Sequence, residues 1–464
     1  MSSTPVDLLI AGGTAVTAAS ESVAAIGITD GVVVHLGEPV PAKRTIDATG
    51  KLVLPGGIDP HVHLSAGVMP DGELLHWADD YGSGTRAAAA GGITAVGDMS
   101  YPRIGETLSD MVARATDEAE RDAVVDFFIH PIVVSPTAEV RDELRALAAA
   151  GHTSVKFFMI RDSFDPQSRD FAELLRVAGE SGVLPMVHCE DGCICAHRID
   201  TLMRSGDSGI EHYHESRPEY AEEVAVVRAI GMARAADSPL YVVHISTREA
   251  LDAVERARDQ ELDVYAETRP LYLYQTDDVY AQDAGARFVG RPPVRSARAR
   301  DAMLTGLIQG DVHTYSTDHA PWMLQEKLDP ALNIGNQFRP GHADLDTMLP
   351  QLFSRAVRTG RMTLQRFVEV TSTNAARLFG MFPQKGTIAI GSDADLAIWD
   401  PELPWRIDST RTQTNADFSL YEGEELTGRP VLTLVRGELV YNDERIVADA
   451  GHGRLVTRGR TQRL

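Results

Sequence analysis

Gly56-Gly-Ile-Asp-Pro-His61-Val-His63 is an apolar, glycine-led stretch that closes on two histidines one residue apart. Alternate side chains of a strand point to the same side, so His61 and His63 can reach one cation together. Taken alone the pair is weak, because His-x-His is more often incidental than ligating. The fold is decided by the recurrence of the pattern. Leu184-Pro-Met-Val-His188 and Leu240-Tyr-Val-Val-His244 are apolar runs that end on histidine, and Asp318 follows Val312-His-Thr-Tyr-Ser-Thr. Strands are expected over 53–58, 94–99, 127–134, 154–159, 184–188, 240–245, 262–267 and 312–316, with helices in the gaps. Residues 83–90 are alanine-rich and end at Gly91-Gly92, a C-cap signal, and 141–150 and 170–181 carry apolar residues at helical spacing. About eight such units in a row predict an α/β fold, a closed (β/α)8 TIM-type barrel. An open doubly wound sheet is the alternative. No Gly-x-Gly-x-x-Gly opens a helix after an early strand, which weakens it.

A barrel places its chemistry at the C-terminal ends of its strands. Any one polar residue there can be a satisfied buried side chain. Four independent strands ending in metal-competent residues are much harder to explain that way. Lys156 adds to them, inside the apolar run Ser154-Val-Lys-Phe-Phe-Met. A buried ammonium is costly. The lysine therefore snorkels to solvent, pairs with a carboxylate, or is covalently neutralised. Burial lowers a lysine pKa, and a neutral amine can add carbon dioxide to give an anionic carbamate able to bridge two cations.

The two ends of the chain have a different texture. Leu8-Leu-Ile, Val32-Val-Val-His-Leu, Ala394-Asp-Leu-Ala-Ile-Trp and Val431-Leu-Thr-Leu-Val are short strand candidates punctuated by glycine. They predict a small β-sandwich domain built from residues 1–54 plus 385–464, around a barrel over 55–384. The 464 residues are enough for both units, and 43% hydrophobic with 24% charged is an ordinary globular balance. A net charge of −23 argues against nucleic acid and anionic membrane as partners. Cys189, Cys193 and Cys195 fall in one short stretch and read as reduced thiols rather than a disulfide framework or a soft-metal site. The first residues show no basic leader, and no apolar run approaches the roughly 20 residues of a membrane span, so a cytoplasmic protein is expected.

With these residues in view, the chain resembles the amidohydrolase superfamily, and within it the cyclic amide hydrolases: dihydropyrimidinases, D-hydantoinases, allantoinases and dihydroorotases. The matching pieces run in family order. Among them are Gly56-Gly-Ile-Asp-Pro-His-Val-His, Ser154-Val-Lys-Phe-Phe-Met, His188-Cys-Glu-Asp, Val243-His-Ile-Ser, Glu267-Thr-Arg-Pro-Leu-Tyr, Thr317-Asp-His-Ala-Pro and Gly391-Ser-Asp-Ala-Asp-Leu-Ala-Ile-Trp. Tyr421-Glu-Gly-Glu-Glu-Leu-Thr-Gly-Arg-Pro-Val is similar to the C-terminal region of hydantoinases and dihydropyrimidinases in particular. The resemblance implies two divalent metal ions, zinc by ligand type with manganese or iron also compatible. His61, His63 and Asp318 would hold one and His188 and His244 the other, with N6-carboxylated Lys156 bridging them. Asp318 would be general base and then general acid, its second oxygen free to meet the attacking water. The substrate would be a small cyclic amide or ureide, and the assembly a homotetramer or homodimer.

Departures from the family fall where substrate is read. Arg161 stands where hydantoinases have a tyrosine that holds the carbonyl oxygen, Arg291 where they have serine, and Arg269 where they have cysteine. Ser65 stands where dihydroorotases have an arginine, and Pro340-Gly-His-Ala-Asp-Leu-Asp replaces the usual segment after the aspartate. Arg161 or Arg291 is expected to meet an anionic group on the substrate, with Arg161 polarising the amide oxygen in place of the tyrosine as an alternative; otherwise these arginines pair with local acids such as Asp162 or Glu267 or face solvent, and pairing or solvation together is the reading preferred for Arg269. His319 is expected either to touch substrate or to orient a neighbouring group. His197, His212 and His214 read as a solvated helix surface rather than a third metal site. Three other functions compete with ring opening. Hydrolysis of a linear amide, carbamate, imide or lactam keeps the chemistry. Non-catalytic relatives of dihydropyrimidinase lack the ligands, and superfamily deaminases lack the bridging lysine.

Overall fold

The computed structural model describes residues 5–68 and 74–464. Eight parallel strands stand at its centre: β1 (Gly57–Val62), β2 (Ile93–Ser100), β3 (Asp126–Pro131), β4 (Ser154–Phe158), β5 (Leu184–His188), β6 (Leu240–Val242), β7 (Val264–Thr268) and β8 (Thr314–Tyr315). β1, β2 and β3 form one parallel ladder and β4 to β8 another. Two further contacts join the ladders into a ring. Ile132, just past β3, bridges Lys156 of β4, and Val133 N donates to Lys156 O at 2.8 Å. His319, just past β8, bridges Val62 of β1, and His63 N donates to His319 O at 2.8 Å. The barrel is closed, and the second closure runs through residues expected to be ligands. β1, β2, β3, β5 and β7 are buried at every position, as strands packed on both faces must be.

Helices Tyr81–Ala90, Leu108–Asp122, Ala138–Ala149, Ser168–Ser181, Glu219–Ala235, Arg248–Asp259 and Ala297–Gln309 lie between successive strands. The sequence pattern explains each one locally. In Arg248–Asp259 the Thr247 hydroxyl accepts from Ala250 N at the N-cap, and Ala250, Leu251, Val254 and Ala257 fall on the buried side. Each fully buried leucine or valine there contributes about 2 kcal/mol of transfer free energy.

Both ends of the chain build two further sheets. One has four strands, in the order Val32–Gly37, Ala25–Thr29, Val6–Ala11, Ala42–Asp47. The other has seven, with Glu425–Val435, Leu396–Arg406, Leu52–Pro55 and Thr14–Val16 as its middle. Leu8, Ile10, Ile26 and Ile28 of the first share a core with Val53, Leu396, Ile398 and Leu434 of the second.

The structure corrects the expected boundaries in two places. Residues 53–58 are not one strand. Val53 and Leu54 pair with Ile398 and Ala397 in the seven-stranded sheet, and β1 starts only at Gly57. The chain crosses between consecutive amides: Gly56 N donates to Asp395 O and Gly57 N to Gly92 O. A Cβ on Gly56 would lie 2.1 Å from Thr94 Oγ1, so only glycine passes. The last residues also leave the sandwich. Phe127 N donates to Arg454 O, Val456 N to Phe127 O, and the buried Arg458 donates to Ser154 Oγ and Ile129 O, at the start of β3 and β4.

Candidate metal centre

His61 and His63 end β1 on the same side, as alternation requires. His61 Nδ1 lies 2.7 Å from Glu267 Oε1 at the end of β7. That contact places the ring proton on Nδ1 and leaves Nε2 with its lone pair. The bare Nε2 sits 3.2 Å from Asp318 Oδ1, and His63 Nε2 lies 3.1 Å from the same oxygen. Lone pairs facing each other at hydrogen-bond distance repel unless a cation stands among them, so the donor set fits a metal. His61, His63 and Asp318 have ligand atoms all within 4.8 Å of one another.

His188 ends β5, and His244 follows β6 by two residues. His188 Nε2 lies 2.8 Å from Glu190 Oε2, which leaves Nδ1 free to face His244 Nε2 at 3.0 Å. Burial lowers the pKa of His61, His188 and His244, which keeps the rings neutral as ligation demands. His244 and Asp318 both have left-handed backbone, φ 39° and 50°. Non-glycine residues are rarely held this way, and where they are the cost is commonly met at functional sites.

Lys156 is 0% exposed, and its Nζ has no hydrogen-bond partner. Of the three readings of its side chain, snorkelling and carboxylate pairing are both absent from the structure. Burial pulls its pKa from 10.5 down to about 8. A buried amine without partners, its pKa lowered so that the neutral form is more accessible, is the chemistry that carbamate formation needs.

Asp318 is not as expected. Its Oδ2 is not free but accepts from Arg269 Nη1 at 2.5 Å. Arg269 is 1% exposed and also donates to Tyr272 Oη. The arginine expected to face local acids or solvent is instead the counter-ion of the aspartate. Burial would raise the Asp318 pKa, and the Arg269 guanidinium beside it holds it well below the ordinary carboxylate range. His319 is likewise not where substrate contact would need it. The ring is 0% exposed, with Nδ1 accepting from Asp344 N and Nε2 donating to Asp79 Oδ2 at 2.8 Å. Both nitrogens are used in fixing the loop after Asp318. Thr414 and Asn415, from the C-terminal part of the chain, hold Asp79 in turn.

Above the histidines opens a cavity of about 750 Å³. Trp77, Tyr101, Phe158 and Trp322 form its apolar walls, and Arg161 and Arg291 both line it. Residues 335–341 make one side, pinned from behind by Lys327, whose buried ammonium donates to the carbonyls of Val289, Arg339 and Gly341. Sequence reasoning assigned no role to Glu190 or Asp79, and named Glu267 only as a partner for the arginines. The available signal was an acid at or beside the end of an apolar strand, which marks the partner of a ligand as readily as a ligand.

The remaining candidates do not gather. His212 pairs with Glu215 and Asp207, and His214 stacks on Tyr280. Cys189, Cys193 and Cys195 are unpaired thiols. Among the described residues a second acidic group, Asp126, Asp393 and Asp395, surrounds the Lys385 ammonium, which neutralises it. No helix among the described residues is long and apolar enough to cross a membrane.

The model of the amidohydrolase family matches residues 52–440, which take in all eight barrel strands and every candidate ligand. The chain belongs to the amidohydrolase family. This amidohydrolase is 35% identical over 458 residues to a D-hydantoinase of Ralstonia pickettii, covering 97% of this chain and 99% of that one. It is similar to the solved D-hydantoinase of Bacillus sp. AR9, with a TM-score of 0.93, 36% identity and coverage of 98% and 100%. It is similar also to the dihydropyrimidinase of Brevibacillus agri, with a TM-score of 0.92, 35% identity and coverage of 98% and 99%. The barrel with an accompanying sandwich is thus the fold of its relatives.

Proposed function

We propose that this amidohydrolase is a binuclear metal-dependent hydrolase that opens the carbon–nitrogen bond of a cyclic amide or ureide. The observation that carries the reading is the meeting, at one barrel mouth, of ring nitrogens from four histidines, a carboxylate oxygen and an unpartnered buried amine. Its near full-length likeness to D-hydantoinases supports the choice of bond. His61, His63 and Asp318 would hold one cation, His188 and His244 a second, and carboxylated Lys156 both. When bound, the cations would supply an activated water and polarise the amide carbonyl. The protein's own groups do the rest. Glu267 and Glu190 fix the tautomers of His61 and His188. Asp318, whose Oδ2 must part from Arg269 to do so, takes the proton of the attacking water and returns it to the leaving ring nitrogen. Arg269 keeps that carboxylate ionised between turnovers. Trp77, Tyr101, Phe158 and Trp322 sandwich the ring and exclude water.

The test is ring opening of a neutral 5-substituted hydantoin and of dihydrouracil by metal-loaded protein in bicarbonate buffer. Expected are ring-opened N-carbamoyl products, reduced at least about a thousandfold by His61→Ala and by Asp318→Asn. Two metals bound per chain with no ring opened would refute the reading.

A further inference from the structure

Four arginines line the cavity, and they are not equivalent. Arg217 Nη1 donates to Glu190 Oε2 at 2.8 Å, and Arg339 lies over the Trp322 ring. Arg161 and Arg291 have no carboxylate partner among the described residues. The Arg161 guanidinium lies 5.0 Å over the Phe158 ring, and its Nη1 is buried without an acceptor. Arg291 reaches the neutral Gln337 Oε1 through Nη2, and its Nε is buried without an acceptor. Asp162 lines the same cavity and pairs with neither. Burial lowers the pKa of both guanidiniums, whereas Glu190 holds Arg217 raised against the same effect.

Tyr101 lies within coulombic reach of both Arg161 and Arg291, and all three line the cavity. Holding two uncompensated guanidiniums there is costly. The chain carries 67 acidic residues against 44 basic ones, so counter-ions are not scarce; among the described residues none pairs with either guanidinium. The cost is removed when a ligand brings the negative charge. A guanidinium offers a planar fork of donors that matches a carboxylate, and two forks can hold both of its oxygens.

We propose that Arg161 and Arg291 form a carboxylate subsite, and that the ring this protein opens carries an anionic side chain. The inference rests on the cyclic-amide reading and deepens it. Specificity follows from the cost of the unmatched state: a neutral ring leaves both guanidiniums without a carboxylate, with Arg161 Nη1 and Arg291 Nε buried and unpaired.

Hydantoin-5-acetate and its primary amide are matched in size and differ in charge. The acid is expected to have a kcat/KM at least about tenfold above the amide. Arg161→Met and Arg291→Met are each expected to lower that acid-to-amide ratio at least about tenfold, and Arg161→Lys to give an intermediate ratio because it keeps charge but loses the fork. Thermal midpoints check that the variants fold. An amide preferred over the acid, or a ratio untouched by both variants, would overturn the subsite and leave the amidase standing. If neither ring opens, calorimetry of the ring-opened compounds separates the two claims. N-carbamoyl-aspartate binding more tightly than N-carbamoyl-asparagine, with the difference lost in both variants, upholds the subsite and removes only the chemistry. Equal binding, or no binding of either, overturns the subsite.

Discussion

Replacing Lys156 by methionine should stabilise the metal-free protein while destroying its site. Lys156 is fully buried without a partner, and its pKa falls from 10.5 in the unfolded chain to about 8. A difference of 2.5 units is worth about 3 kcal/mol. Its sign follows from which state holds the proton. Below pH 8 both states carry the ammonium, and the folded state bears the whole penalty. Between pH 8 and 10.5 the unfolded chain binds a proton that the folded one does not, so stability rises with pH. Above 10.5 the amine is neutral in both states and the penalty is gone. Methionine has a similar length and no charge. In chelator and carbon-dioxide-free buffer, Lys156→Met should therefore be more stable than wild type by about 3 kcal/mol at pH 7, with the gain vanishing towards pH 10.5. Urea unfolding at both pH values measures it. Added bicarbonate and metal should reverse the order, because only wild type can form the carbamate and bind two cations. A variant no more stable than wild type at pH 7, or a gain that does not shrink with pH, would refute the picture of an uncompensated buried amine.

Glu267→Gln should weaken metal binding about 10- to 100-fold, read by competition with a chelator, because His61 exchanges a carboxylate acceptor for a weaker, neutral amide oxygen. Arg269→Met should destabilise the metal-free protein by about 3 kcal/mol in urea unfolding, since it leaves the Asp318 carboxylate short of its counter-ion. The loss should be smaller once metal is bound; equal losses in both forms would separate Arg269 from Asp318. Lys327→Met leaves three buried carbonyls without their donor and should cost about 2 kcal/mol. Limited proteolysis should then cut within 335–341, and KM should rise more than kcat falls.

Strand-level information was legible in the sequence because barrel strands are local. Leu184-Pro-Met-Val-His188 and Leu240-Tyr-Val-Val-His244 carry their apolar content and their terminal histidine within five residues, so a one-dimensional reading reaches them. The same holds for the lysine embedded in β4 and for the glycine-punctuated strands at both ends. The stretch 53–58 misled because its hydrophobicity is continuous while its partners are not: Val53 faces Ile398 and Gly57 faces Ile93, and only pairing across the chain divides them.

The tertiary structure alone decided the charges. Arg161, Arg269 and Arg291 are the same residue type in the same kind of loop, yet Arg269 meets Asp318, 49 residues away, while among the described residues the other two pair with no acid. His319 adjoins the ligand Asp318 in sequence but turns to Asp79, 240 residues away. A strand's inward side chains follow from its own alternation. The partner of a buried charge depends on which distant loop closes over it, and that is a property of the assembled barrel.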